Sequence, residues 1–402
     1  MSRAILSAEL TELITAALEQ VLVQQATLDR AYAKVFAGKR LAAIDQAAVT
    51  SHVGAVLRKL NLYAALAHIN LPIVAGQLHY LFAAYLQANV LKSPTIKSLT
   101  DQVTFTQRLN LLQDNSALLD GCPAWLEALG HAQLADKWPA ERAALAEEPT
   151  RFVRANLLKT DRERLAKRLA KEGVTTQTVR GVATALEITD RSALFRTDSY
   201  QDGWFEQQDA GSQLVADALD VQPGMRVIDA CAGNGGKTLA LAAHMQGKGR
   251  LLAMDVEQWK LDNLKKRAKR AGAHNIETRL IASSKTIKRI AMSADRLLLD
   301  VPCSGLGVLK RHPDTKWGDT AERLPVLAEL QAHILSSYSR MLKVGGKMVY
   351  ATCSIMPSEN RQQVDKFLAE KPQFTLLKDE TLWPSQQGFD GFYYALIARI
   401  SE

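Results

Sequence analysis

The sequence predicts an α/β protein in three parts: a doubly wound parallel sheet over residues 201–402, a small α+β segment over 121–200 and an all-helical region over 1–120. Three observations carry this. From about Asp202 onward, strand-like runs alternate with helix-like ones; the first of those strands ends in a turn built on Gly233, Gly235 and Gly236; and the first 120 residues repeat apolar side chains only at helical spacing. Alternation of this kind sandwiches a sheet between helices and brings ligands to the carboxyl ends of its strands.

In the helical region Ile5, Leu10, Leu13, Ile14, Leu18, Val21 and Leu22 recur on one face, and similar stripes fill 53–66 and 73–90. Gly38, Pro72 and Pro94 punctuate them, and no ionisable cluster of catalytic type occurs there. Residues 125–134 and 140–146 read as helices, 151–158 as a strand, 161–172 as a helix capped by Thr160 or Asp161, and 175–188 as short strands. The third part reads as strands at 225–230, 250–254, 276–281, 296–299 and 347–351, with helices at 237–245, 257–271, 321–342 and 358–369. Two final strands, 373–379 and 391–400, have no helix between them and are expected to pair antiparallel.

Composition narrows the function. No apolar run approaches the ~20 residues of a spanning helix, and the N-terminal stretch lacks the apolar region of a leader, so a cytoplasmic protein with no membrane contact is expected. Cys122, Cys231, Cys303 and Cys353 are too scattered for a zinc site or a disulfide scaffold, and His274, His312 and His333 fall in different elements, so no metal is expected. The net charge of +8 is concentrated in two runs: 151–171 holds eight basic and two acidic residues, and 260–270 holds six basic and one acidic. Such runs fit either a phosphate backbone or a solvated helix face.

The turn after the first strand, Asp229-Ala-Cys-Ala-Gly-Asn-Gly-Gly-Lys-Thr238, matches neither G-x-G-x-x-G nor the phosphate-cradling G-x-x-x-x-G-K-[ST] loop. The second strand ends at Asp255, where a carboxylate accepts ribose hydroxyls or caps the following helix. Together they fit a nucleoside-containing cofactor. Two further strands end in Asp300-Val-Pro-Cys-Ser-Gly305 and Ala351-Thr-Cys-Ser354, which would gather Asp300, Cys303 and Cys353 at one crevice. A single cysteine is most often a small buried hydrophobe; two at neighbouring strand ends point to thiol chemistry.

These motifs resemble the Sun (Fmu) family of RNA cytosine-5 methyltransferases, in order and spacing, over 203–402: DACAGNGGKT at Asp229, DVPCSG at Asp300, GVLKRHPDTKW at Gly307, ATCSIMPSEN at Ala351 and GFDGFYYA at Gly388. FVRANLLKTDRERLAKRLAKEGV resembles that family's small RNA-binding subdomain, and the helical region resembles the NusB-like RNA-binding domain of its bacterial 16S rRNA members. The resemblance implies a Rossmann-like methyltransferase domain using S-adenosylmethionine, bound by Cys231, Ala232, Gly233, Asn234, Gly235, Gly236, Lys237, Asp255 and Asp300. It assigns the nucleophile to Cys353, release of the covalent adduct to Cys303, stabilisation of the adduct to Asp300, and RNA contacts to Lys310, Arg311 and His312. The implied partner is RNA, ribosomal before transfer RNA, presenting a single-stranded or flipped-out cytosine; no protein partner is implied.

The chemistry accounts for these groups. Thiolate addition at C6 makes C5 of cytosine a carbon nucleophile, a carboxyl group near N3 stabilises the adduct, and loss of the C5 proton lets the thiol leave. The chain departs from the family pattern in reading Gly233-Asn234 for Ala-Pro, in lacking an acidic residue in Leu280-Ile-Ala-Ser-Ser-Lys285, and in having Arg361 where a second acid is common. The second departure removes a polar contact to the adenosine, for which Ser283 or Ser284 would substitute. The competing function class is a non-catalytic RNA-binding or ribosome-assembly factor that keeps the fold.

Overall fold

Ser7 accepts the amide of Leu10 and so opens the first helix, α1 (Ala8–Leu22), of the computed structural model, which describes residues 5–402. The first four residues, part of the stretch read above as lacking a leader, lie outside the described residues. The contacts divide the chain into two units: one runs to Pro149 and includes Val308–Glu322, the other comprises Thr150–Gly307 and Arg323–Glu402.

The first unit is helical. It contains α2 (Leu28–Phe36), α3 (Ala43–Arg58), α4 (Leu60–Leu66), α5 (Leu78–Ala88), α6 (Gln102–Leu111), α7 (Ser116–Leu119), α8 (Ala124–Leu134) and α9 (Trp138–Leu145). Leu13, Ile14, Leu18, Val53, Leu57, Leu60 and Phe82 form its core, each stabilising the fold by roughly 1.5–3 kcal/mol through burial. Trp138 lies flat over Gly130, where a Cβ would stand 2.1 Å from the indole, and donates its Nε1–H to Glu127 at 2.7 Å.

Residues 308–322 belong to this unit because they satisfy its backbone. Lys316 Nζ donates to the carbonyls of Arg58 and Gly121 at 2.8 and 2.9 Å, and Trp317 Nε1 donates to that of Leu57 at 2.7 Å. The last carbonyls of α3, which lack partners within the helix, are thus capped from far along the chain. Arg58 in turn donates to the carbonyl of Lys310, and that lysine is only 2 % exposed. The expected RNA contact of Lys310 is therefore corrected: its side chain is buried, while His312 alone of the three expected residues is exposed.

The second unit holds two sheets. The small one consists of β1 (Arg151–Ala155), β2 (Thr176–Thr178), β3 (Ala185–Ile188) and β4 (Phe205–Gln207), antiparallel in the order β2-β3-β1-β4. Its helix α10 (Arg162–Lys171) is capped by Asp161, which accepts the amide of Arg164 at 2.7 Å, and buries Leu165 and Leu169 against Val153 and Phe205. A short α11 (Asp198–Gln201) precedes β4. That last strand lies beyond residue 200, so the small sheet is completed by a segment that periodicity alone places in the next part.

The large sheet follows α12 (Ala210–Asp217) and runs β5 (Arg226–Asp229), α13 (Gly236–His244), β6 (Arg250–Asp255), α14 (Gln258–Ala271), β7 (Ile276–Leu280), α15 (Ser284–Lys288) and β8 (Ala294–Asp300). After α16 (Thr320–Tyr338) come β9 (Leu342–Thr352), α17 (Arg361–Glu370), β10 (Phe374–Leu382), α18 (Pro384–Gln387) and β11 (Phe392–Arg399). The seven strands lie in the order β10-β11-β9-β8-β5-β6-β7, parallel except where β11 pairs with β9 and β10. This is the doubly wound α/β fold expected, with its antiparallel last pair. Leu297, Leu298 and Leu299 of β8 are fully buried, as a central strand covered on both faces requires. Strand β9 begins earlier than expected because Leu342 pairs with Ala294, and α16 correspondingly stops at Tyr338.

Candidate active site

Strands β8 and β9 are parallel neighbours in register at Asp300 and Ala351, so the chain leaves both at the same edge of the sheet. Cys353 follows β9 directly and Cys303 lies three residues beyond β8; their Sγ atoms are 3.1 Å apart. The amide of Cys353 donates to Cys303 Sγ at 3.2 Å. A hydrogen bond with Cys353, then burial, holds the Cys303 thiol well above the ordinary thiol value.

Backbone contacts fix the carbonyl side of Cys353. Gly307 donates to the Cys353 carbonyl at 2.9 Å and accepts the amide of Gly391 at 2.7 Å, and a Cβ on Gly307 would lie 2.1 Å from the Gly391 oxygen. Only a residue without a side chain permits that approach. Beneath the Pro302–Gly305 loop lies Glu359, 1 % exposed, which accepts the Ser304 amide at 2.8 Å, the Ser304 hydroxyl, and Gln331 Nε2 at 3.0 Å. Asn360 donates to the Ser354 carbonyl at 2.9 Å and binds Thr352. The Ser-Glu-Asn end of the second cysteine motif is therefore the scaffold on which both cysteine loops rest. Arg361, beside it, faces outward to Asp365 and Asp379.

Asp300 accepts Lys237 Nζ at 2.7 Å. Burial works to lower the Lys237 value, but the charge of Asp300 and its hydrogen bond outweigh it and raise the net value. Its ammonium also sits 5.2 Å from the centre of the Phe392 ring. Expected among the cofactor contacts, Lys237 directs its charge to Asp300 at the end of β8.

The glycine turn links β5 to α13. Gly233 and Gly235 adopt φ values of 53° and 86°, and a Cβ on Gly235 would meet Leu264 at 2.6 Å. Asp255 accepts the amides of Gly233 at 2.8 Å and Glu257 at 2.9 Å, so it ties the turn to the end of β6 and keeps a lone pair on each oxygen for further donors. Asp229 is 1 % exposed and accepts the Thr238 hydroxyl at 2.7 Å; its other oxygen has no partner among the described residues, and burial pushes its carboxyl up to about 7. Burial first, then the charges of Asp229, Asp300 and Asp255, keep Cys231 a neutral thiol. Ser283 and Ser284, past the end of β7, are exposed.

The basic runs are largely engaged within the protein. Arg151 donates to the carbonyls of Asp190 and Ser192, Lys159 to those of Asp202 and Arg270, and Arg168 pairs with Glu172 and Asp202 while lying 4.3 Å over Trp204. Arg267 and Arg270 both pair with Glu206, which is buried. Arg164, Lys167, Lys171, Lys265, Lys266 and Lys269 keep their side chains exposed. Ion pairing of this kind leaves no periodic trace in a sequence, and neither does the Glu359 scaffold.

Comparison with known proteins agrees with the geometry. A family model described as 16S rRNA methyltransferase RsmB/F matches residues 216–398, and one for the ferredoxin-like domain of RsmF/B-like methyltransferases matches 122–194. Ribosomal RNA small subunit methyltransferase B of Proteus mirabilis is 31 % identical over 77 % of this chain and 74 % of its own length. The Pseudomonas putida protein of the same name is 32 % identical over 69 % of this chain and 66 % of its own, so about two thirds of that relative is spanned. A crystal structure of a methyltransferase homologue from Pyrococcus horikoshii superimposes with a TM-score of 0.63 and 26 % identity, covering 71 % of this chain and 98 % of that one. The chain belongs to the RsmB/F family of 16S rRNA methyltransferases.

Proposed function

We propose that this chain is an S-adenosylmethionine-dependent RNA cytosine-5 methyltransferase acting on 16S ribosomal RNA, with Cys353 as the nucleophile. The observation that carries it is the pair of thiols 3.1 Å apart at the ends of β8 and β9, with Asp300 on the same strand end.

The residues present fit the cofactor. A glycine turn with the N-terminal amides of α13 suits its amino-acid carboxylate, and Asp255, with acceptor capacity remaining at the end of the next strand, suits ribose hydroxyls. When bound, S-adenosylmethionine supplies an electrophilic methyl group.

The chain's own groups do the rest. The Cys353 thiolate forms a bond to C6 of an unstacked cytosine, and the electron pair displaced from the ring makes C5 nucleophilic. Asp300 accepts a hydrogen bond from the exocyclic amine next to N3, and Lys237, bonded to its Oδ2, holds that carboxylate in place. After methylation a water takes the C5 proton, the ring double bond re-forms and the Cys353 sulfur departs as the thiolate. Cys303, whose Sγ stands 3.1 Å from that sulfur, is the neighbouring thiol we assign to release of the adduct.

The test is transfer of labelled methyl groups to 16S rRNA lacking its own modifications, with transfer RNA in parallel. Incorporation at cytosine C5 of the ribosomal RNA is the expected result. Incorporation into transfer RNA alone moves the substrate; none into either, from a folded protein, overturns the enzyme in favour of an RNA-binding assembly factor.

A further inference from the structure

The cofactor turn is held from outside by two arginines. Arg154 on β1, 3 % exposed, donates to the carbonyl of Gly236 at 2.7 Å. Arg267 on α14 donates to the carbonyl of Asn234 at 2.7 Å and grips Glu206 of β4 through Nε and Nη2 at 3.2 and 2.8 Å. Glu206 also takes Arg270 at 2.5 Å, so its buried carboxylate is the counter-charge of this cluster and the acidic group that acts most strongly on Arg154. The hydrogen bonds of Arg154 and Arg267 to the turn go to its carbonyl oxygens.

The direction of those carbonyls matters because a trans peptide is rigid: the amide of the next residue points opposite to the oxygen. Fixing the Gly236 carbonyl aims the amide of Lys237, one of the first-turn donors of α13 that the helix itself leaves unpaired. Fixing the Asn234 carbonyl holds the peptide whose amide, on Gly235, closes the turn onto Ala232 at 2.9 Å. No proline stiffens residues 233–236, and two of the three glycines stand at positive φ, so the backbone there has little stiffness of its own.

We propose that Arg154, Glu206 and Arg267 are positioning residues for S-adenosylmethionine: through the carbonyl of Gly236 they aim the Lys237 amide at the cofactor, and through that of Asn234 they hold closed the turn on which the cofactor sits. Arg267, part of a run whose charge suggests RNA, serves the cofactor instead. This rests on the cofactor assignment of the turn.

The experiment uses the full chain with Arg267→Ala, Arg267→Lys and, as a control one residue away, Lys266→Ala. S-adenosylmethionine binding is read by calorimetry, 16S rRNA binding by anisotropy, and stability by melting. Arg267→Ala is expected to weaken cofactor binding about tenfold, the loss of a charge-assisted hydrogen bond, and to raise the cofactor KM with kcat at saturation within about twofold. RNA affinity stays within about twofold, and Arg267→Lys, which still reaches a carbonyl, recovers part of the loss. Equal cofactor affinity in Arg267→Ala and wild type overturns the proposal, as does a loss confined to RNA binding like that of Lys266→Ala. A wild type that takes up no cofactor overturns the cofactor assignment and this proposal together.

Discussion

Cys353 donates its backbone N–H to the Sγ of Cys303 at 3.2 Å while the two sulfurs stand 3.1 Å apart, so one cysteine helps define the chemical state of the other. The hydrogen bond to the neighbouring thiol and burial push Cys303 up, and the Glu359 carboxylate adds a like charge that disfavours a thiolate there. Cys353, directly beyond β9, is the sulfur proposed above as the nucleophile.

This division of labour predicts different failures. Cys353→Ala should lower methyl transfer at least about a thousandfold, as loss of a nucleophile does. Cys303→Ala should still form the bond to cytosine C6 and then stall, leaving a protein–RNA adduct that survives denaturing electrophoresis. The adduct appearing in Cys353→Ala and not in Cys303→Ala would reverse the two roles.

Gly307→Ala should damage the site without touching a reacting atom. Its Cβ would stand 2.1 Å from the Gly391 oxygen and 2.9 Å from the Cys353 oxygen, both backbone atoms, so the two loops must separate. Overpacking of this sort costs about 1–3 kcal/mol, and displacing Cys353 should lower kcat about a hundredfold. Thermal melting and kcat measured on one preparation check both; wild-type values for each would show that the loops accommodate the methyl group.

Asp229 carries a pH signature. Burial pushes its folded value up to about 7, whereas in the unfolded chain it titrates near the ordinary ~4. Between those limits the folded state binds more protons than the unfolded one, so this group's contribution to stability is present below about 4 and lost as pH rises to about 7. Asp229→Asn has no such loss. The melting temperature of the variant relative to wild type should therefore rise from pH 5 to pH 8; parallel melting curves would contradict the buried, unpaired oxygen.

RNA binding should depend on the exposed lysines rather than on the whole basic runs. Replacing Lys167, Lys171 and Lys266 with Ala should each lower the slope of log affinity against log salt by up to ~0.7–0.9, the share of one phosphate contact. Arg168→Ala, whose guanidinium is engaged by Glu172, Asp202 and Trp204, should leave the slope unchanged and lower the melting temperature instead. Equal slopes for all four variants would place the RNA elsewhere.

The sequence by itself determined the strand and helix alternation from Met225 to Arg399, the glycine turn, and the placement of Asp300, Cys303 and Cys353 at or just past two strand ends. Each of these is local: apolar periodicity reports burial within a segment, and a turn or a strand end is written in a few consecutive residues. Only the tertiary structure decided that β4 completes the small sheet, that Lys316 and Trp317 cap α3, that Glu359 supports Ser304 across 55 residues, and that Arg267 serves a turn 33 residues before it. These are pairings of single charges and backbone groups between distant segments. A charge satisfied inside the fold and one facing solvent have the same letter in a sequence, and the energy that separates them comes from the desolvation and partners that packing imposes.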